Sequence, residues 1–324
     1  MKTAIRSLTA LLLPLAALTG CTGPAIDTAA PAPAPAPPLS VSGALTVVEL
    51  APVLLAARDH FPQGATVKMG GVAGLYWNPP ADVATNAETQ ALRVSVKNPD
   101  VRIIMTVAEG LYRIVARRSA GINTVADLKG KRIATLTLTS SGYFLSKMLG
   151  TAGLTTDDVT VVEMQPLQKM VEAIDRKEVD AIAIWEPHSE NAARVLGADA
   201  IAFSGKGIYR ELFNLNTTAG ALADPVKRES IVKFVRAILD ATADMRRDPS
   251  KAQALSAERG GLPLADIQAS WHHHAFTAAF AEDMLDVLVE EDVWLAKREG
   301  RAPRSRETLA TLIDTSVYRE ALAR

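Results

Sequence analysis

Val125–Met164 reads VADLKGKRIATLTLTSSGYFLSKMLGTAGLTTDDVTVVEM, and further along Lys177–Pro187 reads KEVDAIAIWEP. Arg132–Leu136 is a short β-rich run, Thr137–Ser141 a polar turn, and Gly142–Leu149 has the apolar spacing of a helix through Tyr143, Leu145, Met148 and Leu149. Gly150 and Gly153 end that helix. Val159–Met164 predicts a second strand, Leu167–Lys177 a second helix and Val179–Ile184 a third strand. Strand alternating with helix means parallel strands joined by right-handed crossovers. Ligands of open parallel sheets sit beyond the carboxyl ends of the strands, so Thr137–Ser141, Met164–Gln165 and Trp185–Glu186 are the first places to expect a site.

The runs DLKGKRIA, SSGYFL, AGL, DDVTVV and VDAIAIWEP resemble the substrate-binding proteins of ABC importers. The resemblance is to the NMT1-like branch, which includes sulfonate, taurine, nitrate and thiamine-precursor binders, and it covers Ala44 to Asn216 most closely. It implies an α/β chain of the two-lobe periplasmic-binding-protein type 2 fold, each lobe a mainly parallel sheet flanked by helices, with a helical C-terminal region. Residues 43–110 and 217–324 would form lobe 1 and 111–216 lobe 2. The implied partners are a small-molecule ligand and the permease and ATPase subunits of an importer, with the protein itself a monomer. Pyrimidine-precursor synthases share the architecture, but their activity is tied to a cysteine-rich cluster and a lysine-bound pyridoxal phosphate, and Cys21 is the one cysteine in this chain. With no Gly-rich phosphate loop, no His-Glu metal pair at helical spacing and no nucleophile elbow, no catalytic residue, cofactor or metal is expected. A sensory binding protein would look the same in sequence.

At 324 residues the chain exceeds one ordinary domain. A net charge of -1, with acids and bases interspersed, gives no general attraction to nucleic acid or anionic lipid. Residues 1–20 read as a signal peptide: Lys2 and Arg6 are basic, and Leu8–Leu18 is apolar but too short to span a bilayer. Leu18-Thr19-Gly20-Cys21 resembles a lipobox, which implies cleavage before Cys21, acylation of its sulfur and a protein anchored in the periplasm or cell envelope. Residues 21–42 contain APAPAPAPP, which favours extended polyproline II and serves as a semi-rigid tether.

Ala44–Leu50, Ala65–Met69 and Ala81–Ala84 predict strands, and Val53–Phe61 a helix. Thr85-Asn86-Ala87-Glu88 has the pattern of a helix start, capped by a polar residue and continuing to Lys97, whose free amides, with Thr85 and Asn86, are candidates to hold polar ligand groups. RIIMTV and LYRIVARR predict two strands separated by Ala108-Glu109-Gly110. The resemblance places a crossing between lobes there and the return near FNLNTT, Phe213–Thr218, which adds Asn214 to the candidates. A pair of lobes on two crossings can close over a ligand. Thr139, Ser140 and Ser141 at a helix start offer hydroxyls and free amides to an anion or carbonyl. Trp185 and Tyr112 offer aromatic surface, as do Tyr76 and Trp77 if they are not core. Glu49, Glu88, Glu109 and Glu186 stand at strand ends or loops; if two converge unpaired, the site favours a cation or a hydrogen-bond donor, and a zwitterion would suit both acids and hydroxyls.

After Asp224 helices are predicted at Pro225–Arg246, Ser250–Glu258, Leu264–Trp271, Thr277–Glu299 and from Arg306 onward. Trp271-His272-His273-His274 invites a metal reading, but consecutive helical residues point about 100° apart and do not share one ion.

Overall fold

Leu39 and Val41 alternate with serines to make the first strand, β1 (Leu39–Gly43), in a computed structural model that describes residues 38–323. The expected signal peptide, Cys21 and most of the expected tether lie outside those residues. A 3-10 turn, Val48–Leu50, leads into α1 (Ala51–Leu55), extended by one wide turn to His60. Then come β2 (Ala65–Met69), β3 (Val83–Ala87), α2 (Glu88–Ser95), β4 (Val101–Gly110), β5 (Arg113–Arg117), β6 (Arg132–Ala134) and α3 (Ser140–Gly150). They are followed by β7 (Thr160–Val162), α4 (Gln168–Asp175), β8 (Ala181–Ala183), α5 (His188–Leu196), β9 (Ala200–Ser204) and β10 (Glu211–Thr218). The remainder is α6 (Ala219–Ala223), α7 (Pro225–Arg247), α8 (Ser250–Gly260), α9 (Leu264–Ser270), β11 (His274–Ala275), α10 (Met284–Glu299), α11 (Arg306–Ala310) and α12 (Ser316–Leu322).

The strands form two sheets flanked by helices, a mixed α/β fold. The first has the order β11-β4-β10-β3-β1-β2 and the second β7-β6-β8-β5-β9. β1 pairs parallel to β2 and β3, and β6 parallel to β7 and β8. The strands that carry the chain between the sheets, β4, β5, β9 and β10, make antiparallel pairs. Only Leu111 and Tyr112 separate β4 from β5, so the outward crossing is short; the return runs from Gly205 to Arg210.

Each sheet is covered on both faces. One face of the first sheet packs Leu50, Leu54, Phe61, Val83, Met105 and Phe213 against Phe234, Val235 and Ile238 of α7. Asp224 starts α7 by accepting the Val226 and Lys227 amides at 2.9 and 3.1 Å, with Pro225 at the first helical position where no amide is needed. Its buried residues Ile231, Val235, Ile238, Thr242 and Met245 recur every three or four positions, one stripe facing the sheet. Each apolar side chain fully buried there contributes about 1.5–3 kcal/mol. The other face packs α2 and α10 through Leu92, Leu288 and Leu295. In the second sheet α3 covers one face with Phe144 and Leu149, and α4 and α5 the other with Met170, Ile174 and Ala192.

Several expected boundaries move. The first strand is Leu39–Gly43, overlapping the end of the predicted tether, and Ala44–Leu50 is a turn and a 3-10 segment, because Pro52 initiates α1 and draws the preceding residues into helical geometry. The third strand runs to Ala87, so Thr85 and Asn86 are not helix caps: they pair with Leu215 and Asn214, and a ladder of backbone bonds outcompetes a local cap. Ala108 to Gly110 remain paired to β10, so they extend β4 rather than separate two strands. FNLNTT lies within β10, already back in the first sheet. The long C-terminal helix begins at Met284, not Thr277; Ala278 and Ala279 instead donate their amides to Val107 and Thr106 carbonyls at 3.1 and 3.0 Å. The helix from Arg306 breaks after Ala310, where the Ile103 amide donates to the Leu312 carbonyl and the Ile103 carbonyl accepts from the Asp314 amide.

Candidate functional site

The carboxyl ends of β1, β3, β6 and β8 converge with the start of β10 around a cavity of about 200 Å³. Ala44, Thr46, Val47 and Glu49 enter from the turn after β1, Asn86 from the end of β3, and Gln90 from the first turn of α2. Thr139 and Ser140 come from the turn into α3, Trp185 from the turn after β8, and Glu211 and Phe213 from β10. The two sheets therefore contribute opposite walls. Across the rim, Arg93 donates to the Leu138 carbonyl at 3.1 Å and Gln90 to the same oxygen at 3.4 Å.

Beneath the cavity lies a tightly closed floor made by Gly110, Leu111, Tyr112, Ile184, Glu186, His273 and His274, with Glu49 and Trp185 shared by both. Tyr112 Oη and Ser140 Oγ are 3.0 Å apart. Arg113 pairs with Glu186 at 3.0 Å, and also with Glu190. His274 Nε2 lies 3.2 Å from Glu49 Oε1, and its Nδ1 lies 3.2 Å from the Ser270 carbonyl. Both ring nitrogens thus face groups that only accept, which calls for a doubly protonated imidazolium.

The electrostatics follow from burial. Burial by itself would raise the Glu49 carboxyl, but the charge and hydrogen bond of His274 outweigh it and hold the group below its ordinary value. Burial would likewise lower His274, and the Glu49 charge reverses that and raises it. Glu211 has no cation: burial, then the charges of Glu49 and Glu88, push its carboxyl well above the ordinary range. Glu291, under α2, is pushed well above its ordinary value by burial and then by Glu88. Burial also raises Glu186, against the opposing charge of Arg113.

A group whose pKa folding raises contributes stability that is complete below its unfolded pKa and is lost as pH climbs through the folded one. Glu211, Glu291 and His274 all belong to this class. His188 and His273, lowered to about 4 chiefly by burial, are neutral in both states above the ordinary histidine value of 6.5, so they leave the slope there unchanged. Stability is therefore expected to fall as pH rises above the ordinary histidine value of about 6.5, and Glu211→Gln to flatten that fall, as read by urea unfolding across the alkaline range. A wild-type curve that is level or rising over this interval would contradict the assignment.

Of the residues singled out from sequence, Glu49, Asn86, Thr139, Ser140 and Trp185 line the cavity. Tyr112 and Glu186 lie in the floor. Thr85 and Asn214 are fully buried in the first sheet away from the lining, where Asn214 Oδ1 accepts from Thr106 at 2.9 Å. Glu88 is turned under the site and braces β10, accepting from Tyr209 Oη and the Leu212 amide, both at 2.8 Å. Glu109 pairs with Arg210 at 3.1 Å outside the cavity. Ser141 ties the turn together, with its Oγ 2.9 Å from Thr139 Oγ1 and 3.2 Å from Thr135 Oγ1. Tyr76 bonds Asp100 at 2.7 Å, and neither it nor Trp77 reaches the lining. Thr46, Gln90, Glu211 and Phe213 were not anticipated. For Glu211 the available signal was an acid opening an apolar strand-forming run.

The NMT1/THI5-like family model matches residues 73–252. A Brucella abortus protein described as a binding protein is 41% identical over 75 residues, 23% of this chain and 23% of its own length. An Escherichia coli K12 protein described as binding aliphatic sulfonates is 31% identical over 166 residues, 50% of this chain and 49% of that one. The chain thus matches from about a quarter to about half the length of these curated relatives. Among solved structures, the alkanesulfonate-binding protein SsuA from Xanthomonas axonopodis pv. citri, bound to MOPS, superposes with a TM-score of 0.66 at 20% identity, covering 87% of this chain and 99% of that one. At that identity the likeness establishes the fold.

Proposed function

The chain belongs to the NMT1/THI5-like family, and from that premise we propose that it is the solute-binding protein of an ABC importer, capturing a small polar molecule between two hinged lobes. One observation carries the reading: the cavity takes Asn86, Gln90 and Glu211 from elements of the first sheet and Thr139, Ser140 and Trp185 from elements of the second. A solute touching both walls binds the closed arrangement better than the open one and shifts the population toward it, with no chemical step. The two short crossings, Leu111–Tyr112 and Gly205–Arg210, are the hinge, and the Arg93–Leu138 bond is a contact that closure makes. The relatives described as sulfonate-binding support a capture role. In this reading Cys21 is acylated, residues 21–42 tether the folded part to the membrane, and permease and ATPase subunits receive the solute.

Native mass spectrometry of the purified protein, followed by a thermal-shift panel of sulfonates, amines and nitrogen heterocycles, tests the proposal. Saturation at a hundred times the dissociation constant adds about 2.7 kcal/mol to stability. Trp185→Ala is expected to weaken binding at least tenfold, about 1.4 kcal/mol, with the fold intact. A protein that carries no solute and responds to none of a broad panel would rule out simple capture.

A further inference from the structure

Resting on the capture reading, we propose that the solute presents a protonated or donor-rich nitrogen head group, and that Glu49 and Glu211 receive it together. Both carboxyls close on one point of β4: a Cβ added to Gly110 would lie 2.7 Å from Glu211 Oε2 and 3.2 Å from Glu49 Oε1. Both side chains line the cavity, yet Glu49 is 1% and Glu211 5% exposed. Apart from the hydrogen bond the two carboxyls share, Glu49 Oε2 and Glu211 Oε2 have no hydrogen-bond partner among the described residues. Buried carboxyls short of donors are costly, so a site that keeps two of them in the lining of one cavity is matched to donors. His274 stands behind Glu49, its Nε2 3.2 Å from Glu49 Oε1.

The rest of the lining agrees. No lysine or arginine is among the cavity residues, and the one cation beside the pair, His274, is taken up by Glu49, so an anionic head group would meet two carboxyls and no free counter-charge in the lining. The polar groups of the remaining walls, Thr46, Asn86, Gln90, Thr139 and Ser140, are neutral and suit an acceptor at the solute's other end. Trp185 and Phe213 supply aromatic surface, which favours a flat cation such as an amidinium or aminopyridinium over an isosteric anion. Glu49, Glu211 and His274 are far apart in sequence and meet only because β4 holds Gly110 between β10 and β11.

The test uses matched probes: benzamidinium and 4-aminopyridinium against benzoate and benzenesulfonate, titrated calorimetrically into the purified protein. The cations are expected to bind at least tenfold more tightly than the anions. Glu211→Gln, which keeps the shape of the neutral acid and so preserves the fold, is expected to lose at least tenfold in cation affinity while leaving anion affinity equal or higher. Anions binding as tightly as the cations, cations failing to bind, or a co-purified anionic solute would each overturn the head-group assignment and leave capture standing. An effect of Glu211→Gln on cation affinity smaller than twofold would also overturn it. Capture itself fails only if native spectra and every probe are blank.

Discussion

Replacing His274 by alanine is expected to cost about 3–5 kcal/mol of folding stability near neutral pH, because it strands a buried charge. Glu49 and His274 side chains are each 1% exposed, and they meet at 3.2 Å in a region with no room for water. The imidazolium opposes the burial that would otherwise raise the Glu49 carboxyl. Without it, Glu49 faces Glu211, itself already raised well above its ordinary value. Two buried acids within reach of each other cannot both ionise cheaply, so Glu49 takes a proton and the site loses its ionised member. The loss grows with pH, since keeping that proton becomes harder as pH rises. Urea unfolding measures it, and the Glu49→Gln/His274→Ala double variant separates the ion pair from the packing of the ring against Phe276. The double variant is expected to recover a substantial part of the single variant's loss. A loss below about 1 kcal/mol for His274→Ala would mean that the pair is not an ion pair at all.

This pair also shows where sequence reading stops. The parallel strands, α3 and the carboxyl-end turns carrying Thr139, Ser140 and Trp185 were legible because their signals are local: short β-branched runs, helical spacing, a hydroxyl before a helix. The cluster of three histidines was legible only as a helix. In the structure a 3-10 turn, Trp271–His273, gives way to β11, so His273 faces Glu186 and Glu190 while His274 reaches Glu49. Nothing near His274 in the chain signals its partner, which lies some two hundred residues earlier. The glutamates were read as a set, yet Glu88 braces β10 and Glu109 pairs with Arg210. Glu211 completes the cavity because the antiparallel pairing of β10 with β4 sets it opposite Gly110, a register fixed by tertiary contacts. The same competition, ladder against cap, turned Thr85 and Asn86 from a helix start into a strand end.

Gly142→Ala is expected to weaken solute binding at least tenfold and to cost about 1–3 kcal/mol of stability, by a route that involves no charge. A Cβ at this position, in the first turn of α3, would lie 2.4 Å from the Thr137 carbonyl oxygen, 2.7 Å from the Thr137 carbonyl carbon and 2.8 Å from the Leu136 carbonyl oxygen. These are backbone atoms, so no side chain can swing away; the turn between β6 and α3 must itself move. That turn is fixed at both ends, by the Ser141 hydroxyl bonds to Thr135 and Thr139 and by the Thr137 amide donating to Glu163 at 2.6 Å. Moving it displaces Thr139 and Ser140 from the cavity wall and Ser140 from Tyr112 in the floor. Gly150, the last residue of the same helix, provides the control, since a Cβ there meets nothing within 4 Å. Gly150→Ala should leave binding unchanged and gain up to about 1 kcal/mol, because alanine loses less backbone entropy than glycine on entering a helix. Measured side by side by thermal unfolding and calorimetry, the two variants separate a close-packed turn that shapes the site from a general sensitivity of α3. If Gly142→Ala binds like the wild type, the turn is not part of the wall that holds the solute.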